Sequence, residues 1–125
     1  MEPLVKSVIR LFEKSGCTKV YTANSNGDIL VKGIHPKDGR LVALCKGSLE
    51  GEAVEPVRVH EFSYAMKQEQ RMSKTRVTGF FVTNGTFSTD CYSFTVKGDN
   101  VELIDKSKLE ELLAQPSQPP STKKR

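Results

Sequence analysis

The 125-residue chain lacks three things at once: a cysteine framework, a long apolar run and a strong imbalance of charge. Its cysteines, Cys17, Cys45 and Cys91, are odd in number and without Cys-x-x-Cys spacing. That excludes a disulfide scaffold or a zinc finger and leaves reduced, buried thiols as the expectation. No stretch is long enough to cross a bilayer, and Lys6 and Arg10 interrupt the apolar residues after Met1-Glu2-Pro3, so a cytoplasmic protein without a leader is expected. The formal net charge is +4, but Lys123, Lys124 and Arg125 hold three of those charges and leave residues 1–122 at +1. Overall charge therefore lends nothing to nucleic-acid binding, which must rest on a local patch. His35 and His60 stand apart without metal-ligand spacing and read as turn and helix-surface residues. No internal repeat is present.

What is there is a regular alternation of elements. Leu4, Val5, Val8, Ile9 and Phe12 recur at helical spacing between Pro3 and Gly16, which predicts an amphipathic helix over residues 3–15. Three strands follow, Thr18 to Thr22, Ile29 to Ile34 and Arg40 to Lys46. Asn24-Ser25-Asn26-Gly27 and His35-Pro36-Lys37-Asp38-Gly39 form the turns between them. Gly47 to Glu55 reads as a polar loop. Pro56 to Gln70 reads as a helix whose apolar face is Val59, Phe62, Ala65, Met66 and Glu69. The short apolar strand Gly79 to Thr83, a helix from Thr89 to about Val96 capped by Ser88, the strand Val101 to Ile104 and a helix bearing Leu109, Leu112 and Leu113 complete the pattern. The order α-β-β-β-α-β-α-β-α predicts an α/β domain over residues 1–114, a mixed sheet with helices on both sides. Residues 115–125, rich in Pro, Ser and base, read as a disordered tail.

Several of these segments carry chemistry. In the third strand Val42, Leu44 and Lys46 point to one face and Leu41, Ala43 and Cys45 to the other, so Lys46 is a cation at the end of a buried row. Lys67, Arg71, Lys74 and Arg76, opposed only by Glu69, form the best local basic patch and are the candidate DNA-binding residues. Asn84, Thr86 and Ser88 offer a further place where backbone amides could meet a phosphate.

The ordered set Asn26-Gly27-Asp28-Ile29, Leu41-Val42-Ala43-Leu44-Cys45-Lys46 and Ala65-Met66-Lys67 resembles the Mrr-type branch of the PD-(D/E)xK nuclease superfamily. Thr78-Gly79-Phe80-Phe81-Val82-Thr83 with Thr86-Phe87-Ser88, and Val101-Glu102-Leu103-Ile104-Asp105 with Leu109 and Leu112-Leu113, continue the resemblance, which covers Val5 to Leu113. The resemblance implies the restriction endonuclease-like three-layer α/β/α fold and Mg²⁺-dependent hydrolysis of DNA phosphodiesters, with Asp28 and Lys46 as catalytic residues. Asp28 and the Cys45 carbonyl would hold the metal. DNA would be the partner, and a homodimer would supply two sites.

One departure matters: the position that should give a second metal ligand is Leu44, which offers Mg²⁺ no oxygen. A relocated acid from Glu50, Glu52, Glu55 or Glu61 would repair the gap, with Glu13 a more distant candidate, although each reads singly as a solvated charge. Asp28 and Lys46 also fit a structural ion pair. Two functions therefore stay open, a weakened metal-dependent endonuclease and a catalytically inactive module for DNA or protein binding.

Overall fold

The computed structural model describes residues 2–25, 27–47, 52–95 and 101–115. Glu50, the turn at Gly98-Asp99-Asn100 and the tail beyond Gln115 lie outside them. Helix α1 (Glu2–Lys14) precedes three strands, β1 (Thr18–Ser25), β2 (Asp28–His35) and β3 (Gly39–Lys46). After β4 (Ala53–Val54) come helix α2 (Pro56–Met72), strands β5 (Val77–Thr83) and β6 (Thr86–Phe87), a 3₁₀ helix (Thr89–Thr95), β7 (Val101–Ile104) and α3 (Lys106–Ala114).

Among the described residues the main sheet has the order β1-β2-β3-β5-β7. β1, β2 and β3 run antiparallel as a meander, whereas β5 lies parallel to β3 and β7 parallel to β5. Strand alternation then separates two cores. Leu41, Ala43, Cys45 and Val82 face Leu4, Val5, Val8 and Phe12 of α1 and Leu109 of α3. Val42, Val77 and Phe81 face Val59, Phe62 and Met66 of α2, with Leu30 and Leu44 packed alongside. Helices thus cover both sides of a mixed sheet, the expected three layers. Lys14 ties the two helices of one layer together, since its Nζ donates to the carbonyls of Leu113 and Gln115 at 3.0 and 2.6 Å, where cations suit a helix C-terminus.

The α2 side is built on aromatic edges. Phe81 meets Phe62 and Phe87 edge-on at centroid distances of 5.7 and 5.6 Å, and Phe87 meets Tyr92 at 6.0 Å. Gly79 lets α2 approach, because a Cβ there would sit 2.6 Å from Met66 Cγ and 3.0 Å from Phe62 Cε2. All three cysteines are free and buried. Burial pushes the Cys45 thiol up to about 12, which keeps it neutral and inert among apolar neighbours.

Several expectations need correction. The segment taken as a polar loop contains β4, whose Ala53 and Val54 pair in parallel with Thr86 and Phe87. Val54 is buried, and its carbonyl accepts from Ser88 N at 3.0 Å and from the Cys91 thiol at 3.2 Å. β1 continues to Ser25 because Asn24 and Ser25 find partners in Ile29 and Asp28. The helix expected from Thr89 is 3₁₀ rather than α; its Thr, Asp, Cys and aromatic residues are poor α-formers, and Cys91 N bonds three residues back to Ser88 O. On α2, Ser63 is buried where Ala65 was expected, and Ala65 is exposed.

Gly39 closes the β2–β3 turn at φ 80°, and a Cβ there would lie 2.5 Å from the Arg76 carbonyl oxygen. Both the conformation and the contact oppose a side chain. Gly39→Ala is expected to lower stability by about 1–3 kcal/mol, read as a shift of the urea midpoint at unchanged m-value; an unshifted midpoint would contradict this account of the turn.

Candidate functional site

Continuing the β2–β3 register one step past Ile29 and Cys45 sets Asp28 opposite Lys46, on the face that α2 covers. Asp28 retains only 6 % of its exposure. Its Oδ1 lies 3.8 Å from Lys46 Nζ, and its Oδ2 accepts from Arg58 Nη2 at 2.8 Å. The cations are more open, with Lys46 and Arg58 side chains 34 % and 40 % exposed. A buried acid is thus held between two half-solvated bases.

Arg58 reaches this point because the chain before it is anchored. The Val54 clamp fixes the approach, Glu55 stands at the N-cap, Pro56 starts α2, and Arg58 N donates to Glu55 O at 3.0 Å. Arg58 lies four residues before the buried Phe62, hence on the sheet-facing side of the first turn. This spacing is the signal that could have pointed to Arg58, and reading the helix for apolar residues alone passes over it.

The sequence-derived acids fall in different places. Glu61 shares a pocket with Asp28, Leu30, Leu44 and Arg58. Glu52 and Glu55 line a neighbouring recess with Lys46 and Arg58. Glu13 is on α1, across the sheet from Asp28. Leu44 forms part of the pocket wall beside Asp28, where a second acid would stand. Cys45 lies between the ladders to Ile29 and Val82, with its side chain in the α1 core.

This donor set does not fit a magnesium site. Both Asp28 oxygens already face cations, Leu44 contributes no oxygen, and among the described residues no three His, Cys, Asp or Glu side chains gather as metal ligands. A divalent ion would have to displace a guanidinium hydrogen-bonded at 2.8 Å.

The basic residues sit at the other end of the sheet. Lys67 and Arg71 are exposed on α2, and Lys74 and Arg76 on the connector to β5. Arg40 N donates to Arg76 O at 2.9 Å, which places this cluster beside the start of β3 and adds the exposed Arg40 to it. Six strand steps, about 20 Å, separate Arg40 from Lys46. The connector is held in shape: Gln70 Oε1 accepts from Val77 N at 2.8 Å, Gln70 Nε2 donates to Thr75 O at 3.0 Å, and Ser73 Oγ accepts from Thr75 N at 3.2 Å. Lys74 and Arg76 are therefore presented from an ordered loop.

Comparison with known proteins places this geometry. A family model for the Mrr catalytic domain, described as restriction endonuclease, matches residues 2–113. Among solved structures, EndoMS in its apo form superposes with a TM-score of 0.60 at 14% identity, over 83% of this chain and 44% of that one. The MspJI restriction endonuclease in complex with a 27-mer oligonucleotide gives 0.55 at 20% identity, over 89% of this chain and 26% of that one. A repair endonuclease from Pyrococcus abyssi gives 0.56 at 16% identity, over 84% and 46%. The chain thus spans less than half the length of each. Among curated proteins no sequence relative matches.

Because the Asp28–Arg58 contact is half solvent-facing, its worth is discounted for screening. Arg58→Ala is expected to cost about 1–3 kcal/mol in urea unfolding at low salt and less at high salt. A double-mutant cycle with Asp28→Ala should show coupling; purely additive losses would mean that the two side chains do not depend on each other.

Proposed function

This chain belongs to the Mrr-type restriction endonuclease family, and we propose that it serves as a DNA-binding domain in which the ancestral cleavage site is silent. The observation that carries the reading is the Asp28 carboxylate held between Lys46 and Arg58 beside Leu44. The carboxylate charge is already compensated, with Oδ2 hydrogen-bonded to a guanidinium and Oδ1 facing an ammonium, and a leucine cannot replace the missing ligand. No route to an activated water follows from these residues.

DNA contact would come from Lys67, Arg71, Lys74 and Arg76, joined by Arg40. Cations on an ordered connector and a helix end can grip phosphates without reading bases, so binding should be sequence-tolerant and strongly salt-dependent. The similarity to a nuclease described in complex with an oligonucleotide supports a nucleic-acid partner.

Gel shifts of duplex DNA in EDTA should show binding by the wild type. Replacing Lys67, Arg71, Lys74 and Arg76 together by alanine should weaken it across all sequences and reduce the slope of log K against log salt by about 3–4. Unchanged affinity and slope would remove this surface from the proposal.

A second reading is favoured by Glu61, which among the described residues is the one other acid in the pocket of Asp28 and Leu44. Under it, Glu61 would act as the relocated carboxylate of a weakened endonuclease. Plasmid nicking with Mg²⁺ or Mn²⁺ separates the two. The silent-site reading expects no nicking above that of Lys46→Ala, whereas nicking abolished by both Lys46→Ala and Glu61→Gln would establish the second reading instead.

A further inference from the structure

We infer that Arg58 takes the place of the divalent cation at Asp28, so that the positive charge the buried carboxylate requires is supplied from within the chain. The inference rests on the silent-site reading and explains how that site stays folded without a metal. Asp28 is shielded from water on the sheet side, and a buried carboxylate persists only beside a cation. Two sources of that charge are compatible with the position: a divalent ion from solution, or a side chain on the covering helix. The 2.8 Å contact from Arg58 Nη2 to Asp28 Oδ2, with Lys46 at 3.8 Å from the other oxygen, is the second.

The surroundings are consistent with the substitution. Asp28, Glu61 and Arg58 line this pocket, and Lys46 faces Asp28 from the adjoining recess that it lines with Glu52, Glu55 and Arg58, so the guanidinium borders both recesses and bonds the carboxylate between them. Planarity and several parallel N–H donors suit the guanidinium to this role, because it can satisfy a carboxylate edge while its outer side stays hydrated.

The guanidinium and a metal should then compete for the same carboxylate, and removing the former should uncover a metal site once a second acid is restored. The test is titration of the full chain with Mn²⁺, followed by the electron paramagnetic resonance signal of the free ion. Wild type and Leu44→Glu should show no saturable binding up to about 1 mM. The double variant Leu44→Glu with Arg58→Gln should bind at least about ten-fold more tightly than Leu44→Glu alone, and Asp28→Asn in that background should abolish it. Equal affinity of the single and double variants overturns the inference, as does saturable wild-type binding that Asp28→Asn removes.

Circular dichroism of each apo variant checks folding. If Arg58→Gln does not fold, Leu44→Glu alone decides the matter, since tight Mn²⁺ binding with the guanidinium present would show that Arg58 does not compete. DNA binding in EDTA is read independently, so a failure of the competition and a failure of the DNA-binding reading give different results.

Discussion

A carboxylate withdrawn from water between two cations is the constraint around which this domain is arranged. Ionising Asp28 in its shielded position without compensation would cost several kcal/mol, and the compensation comes from separate segments. Lys46 ends β3, Arg58 opens α2, and Asp28 opens β2. Their ion pairs pin three element termini at one point. The same helix also carries Phe62 and Met66 onto Gly79 and Phe81, so the electrostatic and apolar requirements cannot be met independently. Shifting α2 by one residue would turn Arg58 about 100° around the helix axis and lift Phe62 from the sheet together with it.

The parallel part of the sheet gives the molecule two chemically different ends. Lys46, Thr83 and Ile104 close β3, β5 and β7 at one of them, and open α/β sheets place ligand sites outside such carboxyl ends. Asp28, Lys46 and Arg58 lie there. At the opposite end the strands begin, and there the exposed cations of α2, its connector and Arg40 accumulate. About 20 Å of strand between the ends corresponds to about six steps along one nucleic-acid strand.

How far this could be read from residues alone depended on whether a signal was local. The helical spacing of Leu4, Val8 and Phe12 and the alternation of Val42, Leu44 and Lys46 belong to single elements, and the two cores follow them closely. The Asp28–Lys46 pairing was legible because a hairpin register relates the two strands. β4 and β6 were not, since two-residue strands have no periodicity and exist here only by pairing across more than thirty positions. Arg58 was hidden for a related reason: a cation in the first turn of a helix normally belongs in solvent, and only the sheet's buried acid gives it another purpose. Likewise the sequence set Lys67 to Arg76 in one basic stretch but held no indication that β3 and β5 would carry it to the end remote from Asp28.

Leu44 and Arg58 act on Asp28 together, as wall and partner of the same pocket. An acid at position 44 would set a further negative charge in the pocket of Asp28 and Glu61, yet a divalent ion could share it with Asp28 only by displacing the guanidinium. Leucine removes that charge and also makes the wall of the pocket apolar, which lowers the local dielectric and strengthens the attraction between Asp28 and the guanidinium. The loss of a ligand thus favours the ion pair, and the ion pair in turn disfavours a metal. Each step makes the other harder to reverse alone. For that reason the restored acid without removal of the guanidinium is the informative intermediate: it keeps the competing cation while returning the missing oxygen, and whichever of the two holds Asp28 in that state is the one that governs the site.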